Sequence, residues 1–197
     1  MIDLLFNCNR VLEVGLMLQT ITDRGGFYQT LLNKNNYDEK MQDCIKKTVA
    51  NLLDRTTTFD RPGMLLGKIQ SGKTRTFLGV MGLAFDNGYE VTVVLTKGTK
   101  ALARQTLERL KKEYAEFMEA DKIQIFDIMH FPKNLTGFEL EQKLVLVVKK
   151  EIQNINRLHE AFFQTYPSLK EKKILIVDDK VGLLKMQERR WYIDVIV

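Results

Sequence analysis

The stretch Gly67-Lys-Ile-Gln-Ser-Gly-Lys-Thr74 decides how the rest of the chain is interpreted, because its residue types and spacing specify one chemistry. It has the form G-x-x-x-x-G-K-[ST], the pattern of a phosphate-binding loop. The glycines allow the backbone to turn so that successive N–H groups point at phosphate oxygens, and the helix that follows adds the positive end of its dipole. We therefore expect a nucleotide-binding site over residues 67–74.

The positions of this loop have different predicted roles. Gly67 and Gly72 shape the turn, Lys73 reaches the β- and γ-phosphates, and the Thr74 hydroxyl binds a Mg²⁺ ion that bridges those phosphates. The four variable positions contribute backbone N–H groups to the phosphates, and they are Lys68, Ile69, Gln70 and Ser71. The plainer alternative is a glycine-rich turn that carries a solvated lysine.

The residues on either side of the loop favour nucleotide binding. Pro62-Gly63 predicts a turn, Met64-Leu65-Leu66 a short buried strand, and Phe77 to Phe85 an apolar helix. A strand, the loop and a helix in this order are the context that the motif requires. The sequence therefore predicts an α/β domain built around the loop.

The composition is that of an ordinary globular chain with a slight basic excess. Of 197 residues, 45% are hydrophobic and 28% are charged, and the net charge is +5 with a pI near 9.1. This length accommodates one α/β domain with an appendage. The basic excess weakly favours a polyanionic partner such as DNA or RNA, although a modest excess of lysine more often serves solubility.

The cysteines and the hydropathy pattern bear on the cellular compartment. Cys8 and Cys44 lack the paired Cys/His spacing of a zinc site, and we expect them to be thiols in a reducing compartment. No apolar run approaches the ~18–20 residues that cross a bilayer. Asp3 stands where a secretory signal carries a basic residue. We expect a cytoplasmic protein without a membrane partner.

Residues 1–60 are expected to form an N-terminal helical segment without chemistry of its own. Apolar residues recur at helical spacing from Met1 to Thr22, and Gly25-Gly26 end that pattern. A second helix is predicted after Asn36, which together with Glu39 resembles a capping box. We expect this segment to pack as a helical layer on the domain that follows.

The chain from residue 61 to residue 180 alternates predicted strands and helices. The strands expected after the loop are Tyr89–Thr96, Ile123–Met129, Lys143–Val148 and Lys173–Val177. The expected helices are Gly72–Asn87, a long one after Lys97 with a solvated latter half to Lys122, and Ile152–Tyr166. This alternation predicts a three-layer, doubly wound α/β fold whose mostly parallel sheet binds ligands at the carboxyl ends of its strands. Residues 181–197 form a divergent tail.

The last predicted strand carries two carboxylates at its carboxyl end, in Ile174-Leu-Ile-Val-Asp-Asp179. A phosphate-binding loop needs an acidic partner for its Mg²⁺ ion, and Asp178 and Asp179 are the candidates beside Thr74. The positive charge of the metal would favour ionised carboxylates. The alternative is a strand whose terminal Asp-Asp simply starts a loop.

Residues 61–179 resemble the DEAD/DEAH-box-like helicases and translocases of helicase superfamily two, whose first domain is RecA-like. Besides the loop, Thr96-Lys-Gly-Thr-Lys-Ala-Leu-Ala-Arg-Gln-Thr106 is similar to the family motif that touches nucleic-acid backbone. Val147-Val-Lys-Lys150 is similar to a further strand-end segment, and Val177-Asp-Asp179 to the opening of the acidic motif. The resemblance implies catalytic roles for Lys73 and Asp179. It also implies backbone contacts to DNA or RNA by Lys97, Lys100 and Arg104.

Two departures from the family pattern bear on activity. The acidic motif of the family continues Asp-Glu-Ala-Asp, whereas Asp179 is followed by Lys180, so the catalytic glutamate is absent. The tail over residues 181–197 does not resemble the family's continuation into a second RecA-like domain, which carries an arginine finger. A frameshifted, truncated or otherwise degenerate product is one explanation of this tail, a genuine sequence is another, and we expect the chain to hydrolyse ATP poorly.

The sequence thus predicts the ATP-binding domain of a helicase-like, nucleic-acid-dependent ATPase that uses ATP and Mg²⁺. One rival is a nucleotide-binding module that does not turn over. Another is a small P-loop kinase or switch GTPase, although neither an Arg-rich lid nor an Asn-Lys-x-Asp motif is present. His130 and His159 lack partners at a recognisable spacing and are expected to be surface or structural residues.

Overall fold

The structure, a computed structural model, describes residues 21–54, 74–97 and 99–178 with their side chains, and the backbone alone of residues 5–6, 64–65, 73 and 193–196. The chain divides into two compact units, Met1–Gly88 with Asp194–Val197 and Tyr89–Ile193. The described helices are α1 (Gly26–Asn35), α2 (Glu39–Asp54), α3 (Lys73–Asp86), α4 (Lys100–Glu113), α5 (Ala115–Glu119), α6 (Gly137–Glu141) and α7 (Ile152–Glu160). The described strands are β1 (Leu5–Phe6), β2 (Met64–Leu65), β3 (Val91–Thr96), β4 (Ile123–Asp127), β5 (Lys143–Lys149), β6 (Ile174–Asp178) and β7 (Ile193–Ile196).

In the first unit, α1 and α2 pack on α3, the helix that follows the predicted phosphate-binding loop. α3 is apolar around most of its circumference, and its residues 78–85 are buried. Two of its glycines make room for the other helices, because a Cβ at Gly79 would lie 2.4 Å from Ile45 Cδ1 and one at Gly82 would lie 2.7 Å from Leu31 Cδ1. The close packing of both helices thus depends on glycines inside α3.

The N-terminus of α1 is capped by a side chain from α3. The Asp86 carboxylate accepts hydrogen bonds from the backbone N–H groups of Phe27 (3.2 Å) and Tyr28 (2.8 Å). A carboxylate at this position satisfies two unpaired N–H groups and complements the helix dipole. The Gly25-Gly26 pair was expected to end a helix. Instead, Gly25 precedes α1 and Gly26 is its first residue.

Gly25 lies so close to this cap that no larger residue fits. A Cβ at Gly25 would lie 2.1 Å from Asp86 Cγ, whereas one at Gly26 would meet nothing within 4 Å. We expect Gly25→Ala to lower the free energy of unfolding by about 1–3 kcal/mol through overpacking. The matched Gly26→Ala variant should stay within about 0.5 kcal/mol of the wild type. Urea denaturation measures both, and equal values for the two variants would contradict the close contact.

The start of α2 differs from the prediction. The residue that caps it is Asp38, whose Oδ1 accepts a hydrogen bond from the Met41 N–H (2.7 Å). Asn36, expected to be part of a capping box, instead ends α1 in the left-handed conformation with φ 48° and ψ 58°. Asparagine tolerates this conformation and is a common helix-ending residue. The α1–α2 turn therefore contains a helix stop at Asn36 and a helix start at Asp38.

In the second unit, β3–β6 form an all-parallel sheet in the order β4-β5-β3-β6. The central strand β3 is buried along its whole length and pairs in register with both neighbours, so that Val91 lies opposite Leu144 and Ile174. Continuous Val, Ile and Leu runs are typical of parallel strands covered on both faces. The expected α/β class with a parallel sheet is confirmed.

Other expectations require correction. The helix predicted at Met1–Thr22 is wrong at Leu5–Phe6, which form strand β1; residues 7–20 lie outside the described part. The long helix predicted to Lys122 is divided into α4 and α5 at Tyr114, whose buried ring packs on Phe117. The strand predicted to Met129 ends at Asp127, whose side chain accepts from the Met129 N–H and starts a 3₁₀ turn.

The helix predicted at Ile152–Tyr166 also changes character along its length. It is α-helical over Ile152–Glu160 and continues as a π-helical turn over Ala161–Thr165, which ends at Tyr166. The Tyr166 hydroxyl donates to the Pro132 carbonyl (2.9 Å) and accepts from the Leu135 N–H (2.7 Å). These bonds attach the end of the π turn to the loop after β4. No helix among the described residues has the length and apolar character needed to cross a bilayer.

Candidate functional site

The predicted phosphate-binding loop lies between a strand and a helix. β2 (Met64–Leu65) pairs in parallel with β1, and α3 begins at Lys73, as the prediction of a helix over Gly72–Asn87 requires. The loop residues Gly67, Lys68, Ile69, Gln70, Ser71 and Gly72, and the Lys73 side chain, lie outside the described part. A strand before the loop and a helix after it are therefore present at the predicted places in the sequence, but β2 pairs with β1 in a two-stranded sheet separate from the sheet that contains β3.

The first turn of α3 is joined to the turn between α1 and α2. Thr74, the candidate Mg²⁺ ligand, is half-buried in this first turn. The guanidinium of Arg75, the next residue, donates from Nη2 to the carbonyl oxygens of Asn35 and Asn36. It also lies 5.5 Å from the centre of the Tyr37 ring, within the range of a cation–π contact. The start of α3 is thus held by a side chain that the motif itself does not specify.

The second unit brings the other predicted site residues to one edge of its sheet. Parallel strands have their carboxyl ends at the same edge. The register places Thr96 opposite Lys149 and Leu95 opposite Asp178. Residues that follow Thr96 and Lys149 therefore start from the same edge as the Asp178 carboxylate. The edge is the location that the sequence predicted for ligand binding.

The Asp178 carboxylate lies at the end of β6 and is paired with a lysine. Asp178 Oδ1 is 2.5 Å from Lys150 Nζ, and the side chains are only 9% and 14% exposed. A buried ion pair of this kind loses much of its solvation, so removal of one partner leaves an uncompensated charge. Asp179, the other predicted acidic residue, lies outside the described part. The lysine that neutralises Asp178 was not among the predicted site residues.

The predicted nucleic-acid cluster Lys97, Lys100 and Arg104 is exposed at the end of β3 and the start of α4. Thr99 caps α4 by accepting from the Leu102 N–H (3.3 Å), which fixes where the helix begins. In the described part of the chain, Lys97 and Lys100 carry no ion pair. Arg104 Nε donates to Glu108 Oε1 (2.7 Å), and this bond raises the pKa of Arg104 above its usual value.

Two further groups at this edge were not predicted as site residues. Lys149 lies beside Thr96 in the register and forms an ion pair with Glu151, while its carbonyl accepts from the Asn154 side chain (3.3 Å). The Thr96 hydroxyl is buried and has no hydrogen-bond partner within the described residues. The signal for Lys149 and Lys150 was visible in the sequence, because Lys149 ends a buried strand and Lys150 follows it directly.

The structure places the two histidines in different surroundings. His159 is half-buried and stacks on Phe163, with 4.2 Å between ring centroids, and His130 is exposed. Among the residues that the structure describes, no group of three His, Cys, Asp or Glu side chains forms a metal site.

No family model, curated protein or solved structure matches this chain. Its function is therefore inferred from its own residues.

Proposed function

We propose that this chain is the ATP-binding part of a helicase-like, nucleic-acid-dependent ATPase with a RecA-like, doubly wound domain. The observation that carries the proposal is the start of α3 at Lys73, directly after the loop that follows β2. This is the context in which a G-x-x-x-x-G-K-[ST] loop binds phosphates. The parallel sheet of the second unit, with charged residues at its carboxyl edge, agrees with the same class of fold.

The proposed site assigns a role to each residue by its chemistry. The backbone N–H groups of residues 67–74 would bind phosphate oxygens, and Lys73 would bind the β- and γ-phosphates. Thr74, Asp178 and Asp179 offer a hydroxyl and carboxylates, the oxygen ligands that Mg²⁺ prefers. The ion would neutralise charge on the phosphates. Each of these side chains is thus of a type that suits Mg²⁺ bound to ATP.

A titration with a panel of nucleotides tests this proposal against its rivals. We expect calorimetry to show binding of ATP and ADP that requires Mg²⁺, and much weaker binding of AMP, because the loop recognises the β- and γ-phosphates. Binding of GTP alone would favour a switch GTPase. Absence of any nucleotide binding at millimolar ligand would overturn the proposal.

The second part of the proposal is weak, sequence-independent binding of DNA or RNA through Lys97, Lys100 and Arg104. Cations that contact phosphates release counterions, so the logarithm of the affinity falls with the logarithm of salt by about 0.9 for each contact on duplex. We expect replacement of all three residues by Gln to lower both the affinity and this slope. Fluorescence anisotropy over a range of salt concentrations measures both.

A matched control is available on the same helix. Arg109, Lys111 and Lys112 are exposed near the other end of α4, and their replacement by Gln removes the same net charge. We expect the control to change affinity far less than the cluster variant. If the two variants bind identically, the cluster at the end of β3 is an ordinary solvated surface and nucleic-acid binding is not located there.

A nucleotide-binding module without turnover is the second candidate function. Lys180 favours it, because this residue stands where the resemblance places the catalytic glutamate. The two candidates agree on nucleotide binding and differ only in the rate of hydrolysis. A measurement of turnover therefore separates them.

A further inference from the structure

α1 is held at both ends by charged side chains of α3. Asp86, the last residue of α3, binds the N–H groups of Phe27 and Tyr28 at the start of α1. Arg75, in the first turn of α3, binds the carbonyl oxygens of Asn35 and Asn36 at the end of α1. Each charge has the sign that complements the dipole of α1 at that end. The two helices therefore run antiparallel and are joined at both ends by these contacts.

The position of Arg75 is unfavourable for its own helix. A cation in the first turn of a helix opposes the positive end of that helix's dipole, and the first turn of α3 contains no acidic residue. The contacts of Arg75 are instead with the C-terminal end of α1. The Arg75 side chain therefore joins α3 to the α1–α2 turn and does not stabilise the first turn of α3 through the helix dipole.

The α1–α2 turn, which Arg75 contacts, packs closely on α3. Asn36 ends α1 in the left-handed conformation, and Tyr37, which follows it, is only 5% exposed. The ring of Tyr37 lies under the Arg75 guanidinium and against Gly79, where a Cβ would approach its Cε2 to 3.0 Å. The turn thus contacts α3 at the first turn and again one turn further along. A turn that packs on α3 in this way can anchor the start of that helix.

We propose that Arg75 is a positioning residue of the nucleotide site, which fixes the first turn of α3 against the α1–α2 turn. This inference rests on the proposed function, because that first turn carries Lys73 and Thr74. The contacts of Arg75 are with α1 and the α1–α2 turn, so its proposed role is to position the site and not to bind the nucleotide. Without the anchor, the first turn of α3 is ordered for a smaller fraction of the time. The apparent affinity for a ligand falls in proportion to the fraction of protein that is competent to bind.

The test compares Arg75→Ala with Asp86→Ala. Each variant removes one charged side chain that caps α1, and the two residues lie at opposite ends of α3. Hydrogen exchange on the nucleotide-free proteins locates the loosened region, and calorimetry with ADP and Mg²⁺ measures affinity. We expect Arg75→Ala to speed exchange at residues 73–76 and to weaken binding roughly tenfold, which corresponds to a tenth of the protein being competent. Asp86→Ala should speed exchange at residues 26–29 and leave affinity within about twofold of the wild type.

Conservative variants separate positioning from general stability. Arg75→Lys keeps a cation near the carbonyl oxygens and should recover part of the affinity that Arg75→Ala loses. Should Asp86→Ala fail to fold, Asp86→Asn keeps one oxygen for the cap and replaces it as the control.

Each outcome of this experiment decides between the inference and the proposed function. Equal losses of affinity in the Arg75 and Asp86 variants would show a general effect of stability and overturn the inference. Unchanged affinity in Arg75→Ala would overturn it as well while leaving nucleotide binding intact. A wild-type protein that binds no nucleotide would instead overturn the proposed function, and the positioning role with it.

Discussion

ATP hydrolysis by this chain is expected to be slower by about 10²–10⁴ than in an enzyme with a positioned general base. Lys180 stands where the resemblance places the glutamate that orients and deprotonates the attacking water. A lysine ammonium has no lone pair to accept that proton at neutral pH. Its positive charge would still attract the negatively charged triphosphate, so we expect binding to survive where turnover is lost.

Steady-state assays with and without nucleic acid measure this rate. Lys73→Ala is the control, because activity that persists in it comes from another source. Turnover near the ~1–10³ s⁻¹ of ordinary enzymes, abolished in Lys73→Ala, would contradict the prediction. Another residue would then act as the base, and Asp178 is the first candidate because it lies at the end of β6. Its pairing with Lys150 would have to be broken for that role.

Replacement of Lys73 by Ala is expected to weaken the binding of ATP and ADP ten- to a hundredfold. A charge-assisted hydrogen bond to phosphate contributes roughly 1.5–3 kcal/mol, which corresponds to this range of affinity. Lys68→Ala is the matched control, since Lys68 occupies a variable position of the same loop and carries the same charge. Its side chain is not required by the motif, so its removal should change affinity far less.

Calorimetry on the three proteins measures both effects. Equal affinities for the wild type and Lys73→Ala would show that the loop does not bind the phosphates in the predicted way. Equal losses in the two lysine variants would show instead that only the overall charge of the loop matters.

The parallel sheet was predictable from the sequence because its strands are covered on both faces. β3 and β5 are continuous runs of β-branched and other apolar residues, and both were predicted within two residues of their observed ends. The start of α3 was predictable for another reason, since the loop motif requires a helix after it. In both cases the determining information lies within a short stretch of chain.

The elements that sequence analysis missed depend on residues far apart in the chain. α1 begins at Gly26 because Asp86, 59 residues from Phe27, supplies the cap. The same holds for the site, where Lys150 neutralises Asp178 across the ends of two strands. Asn36 was misassigned for a local reason, because an asparagine can start a helix or end one. Its observed role at the end of α1 depends on the chain that folds around it.

The role of Arg75 in the candidate site also depends on residues that are far from it in the sequence. The motif ends at Thr74, and nothing in its pattern assigns a role to the residue that follows. The contacts of Arg75 with Asn35 and Asn36 join residues about forty positions apart. Only the folded structure therefore shows these contacts, on which the proposed positioning role of Arg75 rests.

The central claim is that the backbone N–H groups of residues 67–74 bind the phosphates of ATP. Hydrogen exchange with and without ATP and Mg²⁺ tests it most directly, because it reports on those N–H groups themselves. We expect the nucleotide to slow exchange at residues 67–74 in the wild type and to have a much smaller effect in Lys73→Ala. Slowed exchange only elsewhere in the chain, or none at a nucleotide concentration that saturates binding, would contradict the claim.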